Sequence, residues 1–296
     1  MKTDANGEPN IEVITNSLRP ILAKNPSENL WITQGFICKN FENKIDNLQR
    51  GGSDYTASLI GAAINAHQIQ IWTDIDGMHN NDPRFVENTY SIKEISFDEA
   101  AELAYFGAKI LHPQSLIPAK ENNISVLLKN TFNPNAKGTI IKNKTVKKDV
   151  TAIAAKDGIT AIKIKSYRML LAYGFLKKVF EVFEKYQTPI DMITTSEVAV
   201  SLTIDSTKFL SEITQELQEF GKVEVDKNLT IVCVAGNFSQ NKEGINVQVF
   251  NALKNIPIRM ISYGGSNYNI SLLVKTSDKV AALNSLNQGL FKTALV

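Results

Sequence analysis

Residues 160–290 carry one pattern twice, and few architectures accept such a repeat. In the first copy, residues 160–165 alternate apolar and polar side chains as a strand does. Residues 174–186 then place apolar side chains at helical spacing. Short strand signals follow at 189–193 and 198–204, and a helix signal at 206–220. The second copy reads strand at 229–236, helix at 244–254, strands at 257–262 and 269–274, and helix at 277–290. Each copy is a βαββα unit of roughly seventy residues, which predicts an internal duplication of a small sheet with helices on one face. Asp191-Met-Ile-Thr-Thr-Ser-Glu and Arg259-Met-Ile-Ser-Tyr-Gly-Gly hold the same place in the two copies, each after a helix and a Pro at a strand start.

The first half of the chain reads differently. Residues 11–24 predict a helix with Ile14, Leu18, Ile21 and Leu22 on one side. Residues 30–35 predict a strand that ends at Gly35-Phe36. A small-residue helix over 54–66 and a strand over 68–73 follow. Ser96 with Glu99 three residues later is a capping box, and it opens a helix to about Phe106. Residues 125–128 read as a buried strand. This alternation predicts a mostly parallel sheet with helices on both faces. The Lys-rich stretch 142–149 reads as a solvated connector between the two halves.

Chemistry concentrates at the predicted strand ends. In Arg50-Gly51-Gly52-Ser53-Asp54, two glycines let the backbone turn and aim successive N–H groups at one spot. Ser53 adds a hydroxyl, Asp54 a carboxylate where a helix begins, and Arg50 a cationic fork. The set suits a phosphate or carboxylate, and the same residues also make an ordinary turn and helix cap. Thr73 and Asp74 end the strand 68–73, where ligands of open α/β sheets bind. Arg84, in Asp82-Pro83-Arg84, can offer two donors to a phosphate. Lys109 lies between Gly107 and Pro113, and His112 reads as structural rather than as a metal ligand. In the first repeat, Gly174 turns the chain into a helix whose N-terminus can hold a carboxylate, while Asp191 or Glu197 can pair with an ammonium. That is the chemistry of a free amino-acid site.

Composition narrows the function classes. Of 296 residues, 43% are hydrophobic and 21% charged, which predicts a folded globule with a core. A net charge of +2 with mixed signs gives no basic patch for nucleic acid or an anionic membrane. Cys38 and Cys233 lie far apart, have no metal-ligand spacing, and read as reduced thiols of a cytoplasmic protein. No apolar run is long enough to span a membrane, and the polar start does not read as a signal peptide. No metal site is expected from the protein's own ligands.

Five ordered motifs together resemble aspartate kinase: Gln34-Gly35-Phe36, Arg50 through Ala57, Trp72-Thr73-Asp74-Ile75-Asp76-Gly77, Asp82-Pro83-Arg84, and Phe106 through Pro113. The repeats resemble that family's paired ACT domains, and Ile193-Thr194-Thr195-Ser196-Glu197-Val198 looks like the lysine-sensitive, monofunctional type. The resemblance implies the C-terminal half of an amino-acid-kinase (carbamate-kinase-like) α/β/α sandwich over 1–143. Two ferredoxin-like ACT domains over 150–228 and 229–296 would follow. It implies transfer of the γ-phosphoryl of ATP to the side-chain carboxylate of L-aspartate, with Mg²⁺ bound through the nucleotide phosphates. That reaction opens lysine, threonine and methionine biosynthesis.

By the same resemblance, Arg50 and Asp54 serve catalysis, and Phe36, Arg50, Gly51, Ser53 and Asp54 hold aspartate. Thr73, Asp74, His79, Arg84, Lys109 and Ile110 hold the nucleotide. Met169, Ala172, Gly174, Phe175, Leu176, Asp191, Ser196, Glu197 and Val198 fall on the lysine-effector motif. Three positions depart from the family pattern: His79 stands where a Tyr is common, Gln49 where a Gly precedes the Arg, and Ala172 where lysine-sensitive enzymes carry a Ser. The family's opening Lys-Phe-Gly-Gly-Ser/Thr loop does not occur in this sequence. The resemblance therefore implies that part of the kinase domain is missing and that this chain alone is inactive. It also implies a homodimer through the C-terminal half. A non-catalytic, amino-acid-sensing regulatory subunit is the alternative.

Overall fold

The computed structural model describes residues 1–49, 51–106, 111–146, 148–166, 173–238 and 244–291. The chain divides into two compact units, one of Met1–Asn80 with Asn88–Thr151, the other of Asn81–Glu87 with Ala152–Val296.

The first unit opens with helix α1 (Ile11–Lys24), capped by the Asn10 side chain, which accepts from the Val13 N–H. Strands β1 (Ile37–Lys39) and β2 (Ile45–Asn47) form a small antiparallel ribbon. Helix α2 (Gly52–Ala63) carries mostly small residues, and they let it lie close to its neighbours. A Cβ on Gly61 would stand 2.5 Å from Cγ1 of Ile69, on strand β3 (Gln68–Thr73). Ile14, Cys38, Leu48, Leu59 and Ala63 form the buried cluster beneath α1 and α2.

The main sheet of this unit has the order β3–β5–β6–β4, with β4 at Glu94–Ser96, β5 at Ser125–Asn130 and β6 at Thr139–Lys142. β3 pairs parallel with β5, from Gln68 opposite Ser125 to Thr73 opposite Asn130. β4 and β6 also pair parallel, but β5 and β6 are antiparallel, so the sheet is mixed rather than mostly parallel. Helices α3 (Phe97–Tyr105) and α4 (Pro113–Glu121) lie between β4 and β5 in sequence, and α3 opens on the complete Ser96–Glu99 capping box. Glu99 is buried and also accepts a hydrogen bond from the Thr151 hydroxyl, so one carboxylate caps a helix and ties down the start of the next strand.

The expected strand over 30–35 does not form. Leu30 and Ile32 are exposed there, and among the described residues no strand pairs with this segment to take up its backbone groups.

The second unit holds one six-stranded sheet in the order β11–β12–β10–β7–β9–β8. Its strands are β7 (Val150–Lys165), β8 (Ile193–Ser196), β9 (Ala199–Ile204), β10 (Lys222–Gly236), β11 (Met260–Tyr263) and β12 (Asn269–Lys275). Helices α5 (Phe175–Lys185), α6 (Leu210–Leu217), α7 (Ile245–Ala252) and α8 (Lys279–Leu290) complete it. The repeat is present, but its two copies are not separate. β7 and β10 are neighbours at the centre and belong to both: β8, β9, β7 and β10 form one four-stranded set, and β11, β12, β10 and β7 the other. Thr160–Lys165 of β7 pairs with β9, while Leu229–Ala235 of β10 pairs with β12. A hydrogen bond of 2.8 Å from the Thr230 hydroxyl to Asp157 Oδ1 joins the two long strands midway. β10 thus continues across the expected boundary at residues 228 and 229, with a left-handed residue, Asn228 (φ 59°), at that point.

The first copy packs α5 and α6 on its sheet through Val179, Val182, Phe183, Ile213 and Leu217, against Ile162, Ile164, Val200, Leu202 and Ile204. Fully burying such a side chain stabilises a fold by about 1.5–3 kcal/mol, so this cluster contributes heavily to the stability of the first copy.

Candidate functional site

The sharpest constellation in the first unit is the start of α2. Gly51 caps the helix in the left-handed region (φ 72°, ψ 16°), and Gln49 just before it is also left-handed (φ 58°). The Gly52 N–H closes the turn onto the Gln49 carbonyl at 3.2 Å. Gly35-Phe36 folds back over this turn. Phe36 is itself left-handed (φ 71°), and its N–H donates to the Thr56 hydroxyl at 3.0 Å. That hydroxyl in turn donates to the Gly52 carbonyl at 2.8 Å. A Cβ on Gly52 would stand 2.7 Å from Cδ2 of Phe36, and one on Gly35 would stand 3.3 Å from the Ser53 Cα. The two loops therefore touch because both are glycines at the point of contact.

The result brings Phe36, Gly51, Ser53 and Asp54 to one end of α2. The Phe36 ring is 44% exposed, Ser53 is exposed and Asp54 half-buried. Burial pushes the Asp54 carboxyl above its ordinary value, and a hydrogen bond from Ser53 only partly offsets this. The helix N-terminus supplies amide donors and a partial positive charge, so the arrangement can bind a carboxylate or phosphate beside an aromatic wall. Arg50 lies outside the described residues.

His112 supports this turn from beneath. It is the N-cap of α4, and its Cβ lies 2.6 Å from where a Cβ on Gly51 would stand. The sequence marks His112 as structural but carries nothing that joins it to Gly51, 61 positions earlier in the chain. The signal available is the Leu111-His112-Pro113 run, which fixes an N-cap.

Thr73 and Asp74 end β3. The Thr73 hydroxyl donates to Asp74 Oδ1 at 3.0 Å, and the Asp74 carboxylate is exposed. The next turn is fixed by Thr139, which accepts from the Met78 N–H at 2.8 Å and donates to the Ile92 carbonyl at 2.6 Å. His79 then sits with Nε2 3.0 Å from Asp76 Oδ1, and the His79 hydrogen bond holds the Asp76 carboxyl below its usual range.

Arg84 belongs to the segment Asn81–Glu87, which clusters with the second unit. Its guanidinium is engaged: Nε donates to Asp82 Oδ1 at 2.9 Å and Nη2 to Asp82 Oδ2 at 2.6 Å. The segment is anchored to α8. Asn81 Nδ2 donates to the Leu283 carbonyl at 3.1 Å, Asn284 Nδ2 donates to the Phe85 carbonyl at 3.1 Å, and the Lys279 ammonium stands 3.9 Å from the Phe85 ring centre. Lys109 and Ile110 lie outside the described residues.

In the second unit, Gly174 caps α5 in the left-handed region (φ 78°, ψ 7°). Leu176 is exposed, but the Phe175 ring turns inward and packs edge-on against Phe220 at 6.3 Å. Ser196 ends β8, and Glu197 and Val198 form the exposed hairpin turn between β8 and β9. Asp191 is not on that turn. It lies before β8, nearly buried, with its Oδ1 2.7 Å from the Lys156 ammonium. No sequence motif marks Lys156. Met169 and Ala172 lie outside the described residues. Among the described residues no cluster of His, Cys, Asp and Glu could hold a metal ion, and no helix is long and apolar enough to cross a membrane.

Comparison with known proteins bears on the family and the fold. The Amino acid kinase family matches residues 4–130, and an ACT domain matches residues 232–290. The chain is 38% identical over 294 residues to lysine-sensitive aspartokinase 3 of Escherichia coli, covering 96% of this chain and 66% of that protein. It superposes with a TM-score of 0.86 on E. coli aspartokinase III in complex with aspartate and ADP, at 38% identity, covering 99% of this chain and 68% of that one. The lysine and aspartate complex of the E. coli enzyme gives the same TM-score, 0.86, with the same coverage and identity. Among curated relatives, this chain spans 66% of the E. coli protein and 50% of a chloroplastic aspartokinase of Arabidopsis thaliana.

Proposed function

We propose, on the premise that this chain belongs to the aspartokinase family, that it serves transfer of the γ-phosphoryl of ATP to the side-chain carboxylate of L-aspartate. The observation that carries the reading is the contact of Gly35-Phe36 with Gly52-Ser53 at the N-terminus of α2. It sets amide donors, a hydroxyl and a carboxylate beside an aromatic wall, which is the chemistry that a small dicarboxylic amino acid requires.

In this reaction an aspartate carboxylate oxygen attacks the γ-phosphorus while the bond to the bridging oxygen breaks and ADP leaves. The attacking carboxylate is already ionised at neutral pH, so no base need remove a proton. The protein's contribution is to position the reactants and to offset charge. In our reading Phe36, Gly51, Ser53 and the sequence-assigned Arg50 hold aspartate, and Asp54 orients the cationic groups of the centre. Thr73, Asp74, His79, Arg84, Lys109 and Ile110 serve the nucleotide. Mg²⁺ would come with the nucleotide phosphates, and the exposed Asp74 carboxylate is a hard oxygen donor of the class that this ion takes.

The effector assignment is lysine, at Met169, Ala172, Gly174, Phe175, Leu176, Asp191, Ser196, Glu197 and Val198. The E. coli enzyme forms a complex with lysine and aspartate, and this chain's likeness to that enzyme supports the assignment. The β8 side chains are exposed, although the Thr194 hydroxyl already donates to the Ile261 carbonyl of β11 at 3.2 Å, and we assign a homodimer through this exposed face, which light scattering can read as twice the chain mass. The two buried free cysteines fit a cytoplasmic setting.

A coupled assay for ADP release that depends on ATP and aspartate tests the activity. The full-length gene product should turn over, and the 296-residue polypeptide by itself should not. An inactive full-length product would remove the kinase reading, and turnover by the short polypeptide would remove the inactivity assigned to it.

A further inference from the structure

Lys156 lies on β7, outside every motif of the sequence, yet its ammonium occupies the acidic corner of the regulatory module. It stands 2.7 Å from Asp191 Oδ1 and 2.9 Å from Asp205 Oδ2. The side chains are 20% exposed at Lys156, 2% at Asp191 and 43% at Asp205. Burial pulls the Lys156 pKa down, but the two carboxylates overcome it and leave the ammonium more firmly charged than an ordinary lysine. The backbone fixes the corner as well: the Asp191 N–H donates to the Thr203 carbonyl at 2.9 Å. That bond holds the main chain, and a side chain only 2% exposed leaves the Asp191 carboxylate little room to turn away from Lys156.

We propose that Lys156 determines the affinity and charge selectivity of the effector site, as an internal ammonium that competes with the effector's ammonium for Asp191. The inference rests on the reading that Asp191 belongs to the effector site. A buried carboxylate that faces no cation attracts one strongly, and one already paired attracts a second far less. A cationic amino acid must therefore either sit beside Lys156 against like-charge repulsion or move it off Asp191. Asp205 makes the second course feasible. It is already 2.9 Å from the ammonium and is the more exposed carboxylate, so Lys156 can shift toward it and remain paired. Lys156 and Asp205 together set the concentration at which the module responds.

Calorimetric titration of the 296-residue chain tests this, with lysine and the uncharged norleucine as probes. Lys156→Met should bind lysine at least about tenfold more tightly than wild type, with norleucine unchanged. Lys156→Arg should match wild type. Asp205→Asn, which removes the alternative partner and keeps Lys156 on Asp191, should bind lysine more weakly; it decides the matter if Lys156→Met fails to fold. Should wild type bind lysine while folded Lys156→Met binds it no more tightly, or gains equally for norleucine, competition is overturned and the effector reading stands. An unchanged affinity in Asp205→Asn overturns it likewise. Lysine binding gained only in Lys156→Met supports the proposal. No lysine binding by wild type or any variant at about 10 mM overturns the effector reading and the proposal with it.

Discussion

The starts of α2 and α5 use the same backbone device for different ends. Both helices are capped by a left-handed glycine, Gly51 at φ 72° and Gly174 at φ 78°. Around Gly51 the space is filled: a Cβ would meet His112 Cβ at 2.6 Å, and the next residue, Gly52, is pressed by Phe36 and Leu48. Around Gly174 a Cβ would meet no described atom within 4 Å, and the adjacent Tyr173 and Leu176 are exposed. At α2 the glycine answers both to conformation and to packing, whereas at α5, among the described residues, it answers to conformation alone. The α2 terminus is thus assembled by contacts within the chain. The α5 terminus has no such packing among the described residues.

The largest effect should come from Gly51→Ala. It adds the strain of a left-handed alanine, about 1–2 kcal/mol, to a clash with the N-cap of α4 that cannot be relieved by rotating a flexible side chain. A total loss of about 2–4 kcal/mol is expected, read as a lower urea midpoint with an unchanged slope. If Gly51→Ala costs no more than Gly174→Ala, the packing contrast between the two helix starts is broken.

Features set by neighbours in sequence are legible before the fold. The Ser96–Glu99 capping box forms as expected, because both partners lie within one helical turn. The repeat is also legible, since period and order survive without knowledge of the packing. Its interlocked centre is not. Val150–Ala154 of β7 is buried without alternation, so this half-strand carries no period-two signal, and it follows a charged connector. The 30–35 segment misleads for the opposite reason: it is apolar, but its strand character needs a partner that the fold does not supply. At the site, Gly51, Ser53 and Asp54 stand out through local turn chemistry, and Phe36 through resemblance to a family. The support from His112 and the Lys156–Asp191 pair join residues far apart in sequence, where no spacing rule applies.

Gly174→Ala isolates the conformational cost. With no described atom within 4 Å of the new methyl group, it should destabilise by about 1 kcal/mol, and Gly174→Asn by less, since Asn tolerates the left-handed region better. Gly244, the left-handed cap of α7 with the same open surroundings, should repeat the result and serves as an internal control. A cost at Gly174 well above that at Gly244, measured by urea unfolding, would mean that the α5 terminus is packed after all.

The smallest effect, and the only one expected to stabilise, is Asp54→Asn. Burial holds the Asp54 carboxyl above its ordinary value of 3.8, so the fold favours the protonated form. A raised folded value means that Asp54 contributes its stability below the unfolded value. This contribution is lost as pH rises through the folded value. At neutral pH the ionised carboxylate therefore strains the α2 terminus, and the neutral amide relieves it. Asp54→Asn should melt slightly higher than wild type at pH 7, and the difference should vanish once the pH falls below the ordinary carboxylate range. The partial exposure of Asp54 and its place in the first turn of a helix both keep the gain small. A variant that melts lower at pH 7, with the deficit disappearing in acid, would assign Asp54 the reverse role of a stabilising anion at the helix start. The α2 terminus would then be relaxed rather than strained, and the contrast with α5 would rest on packing alone.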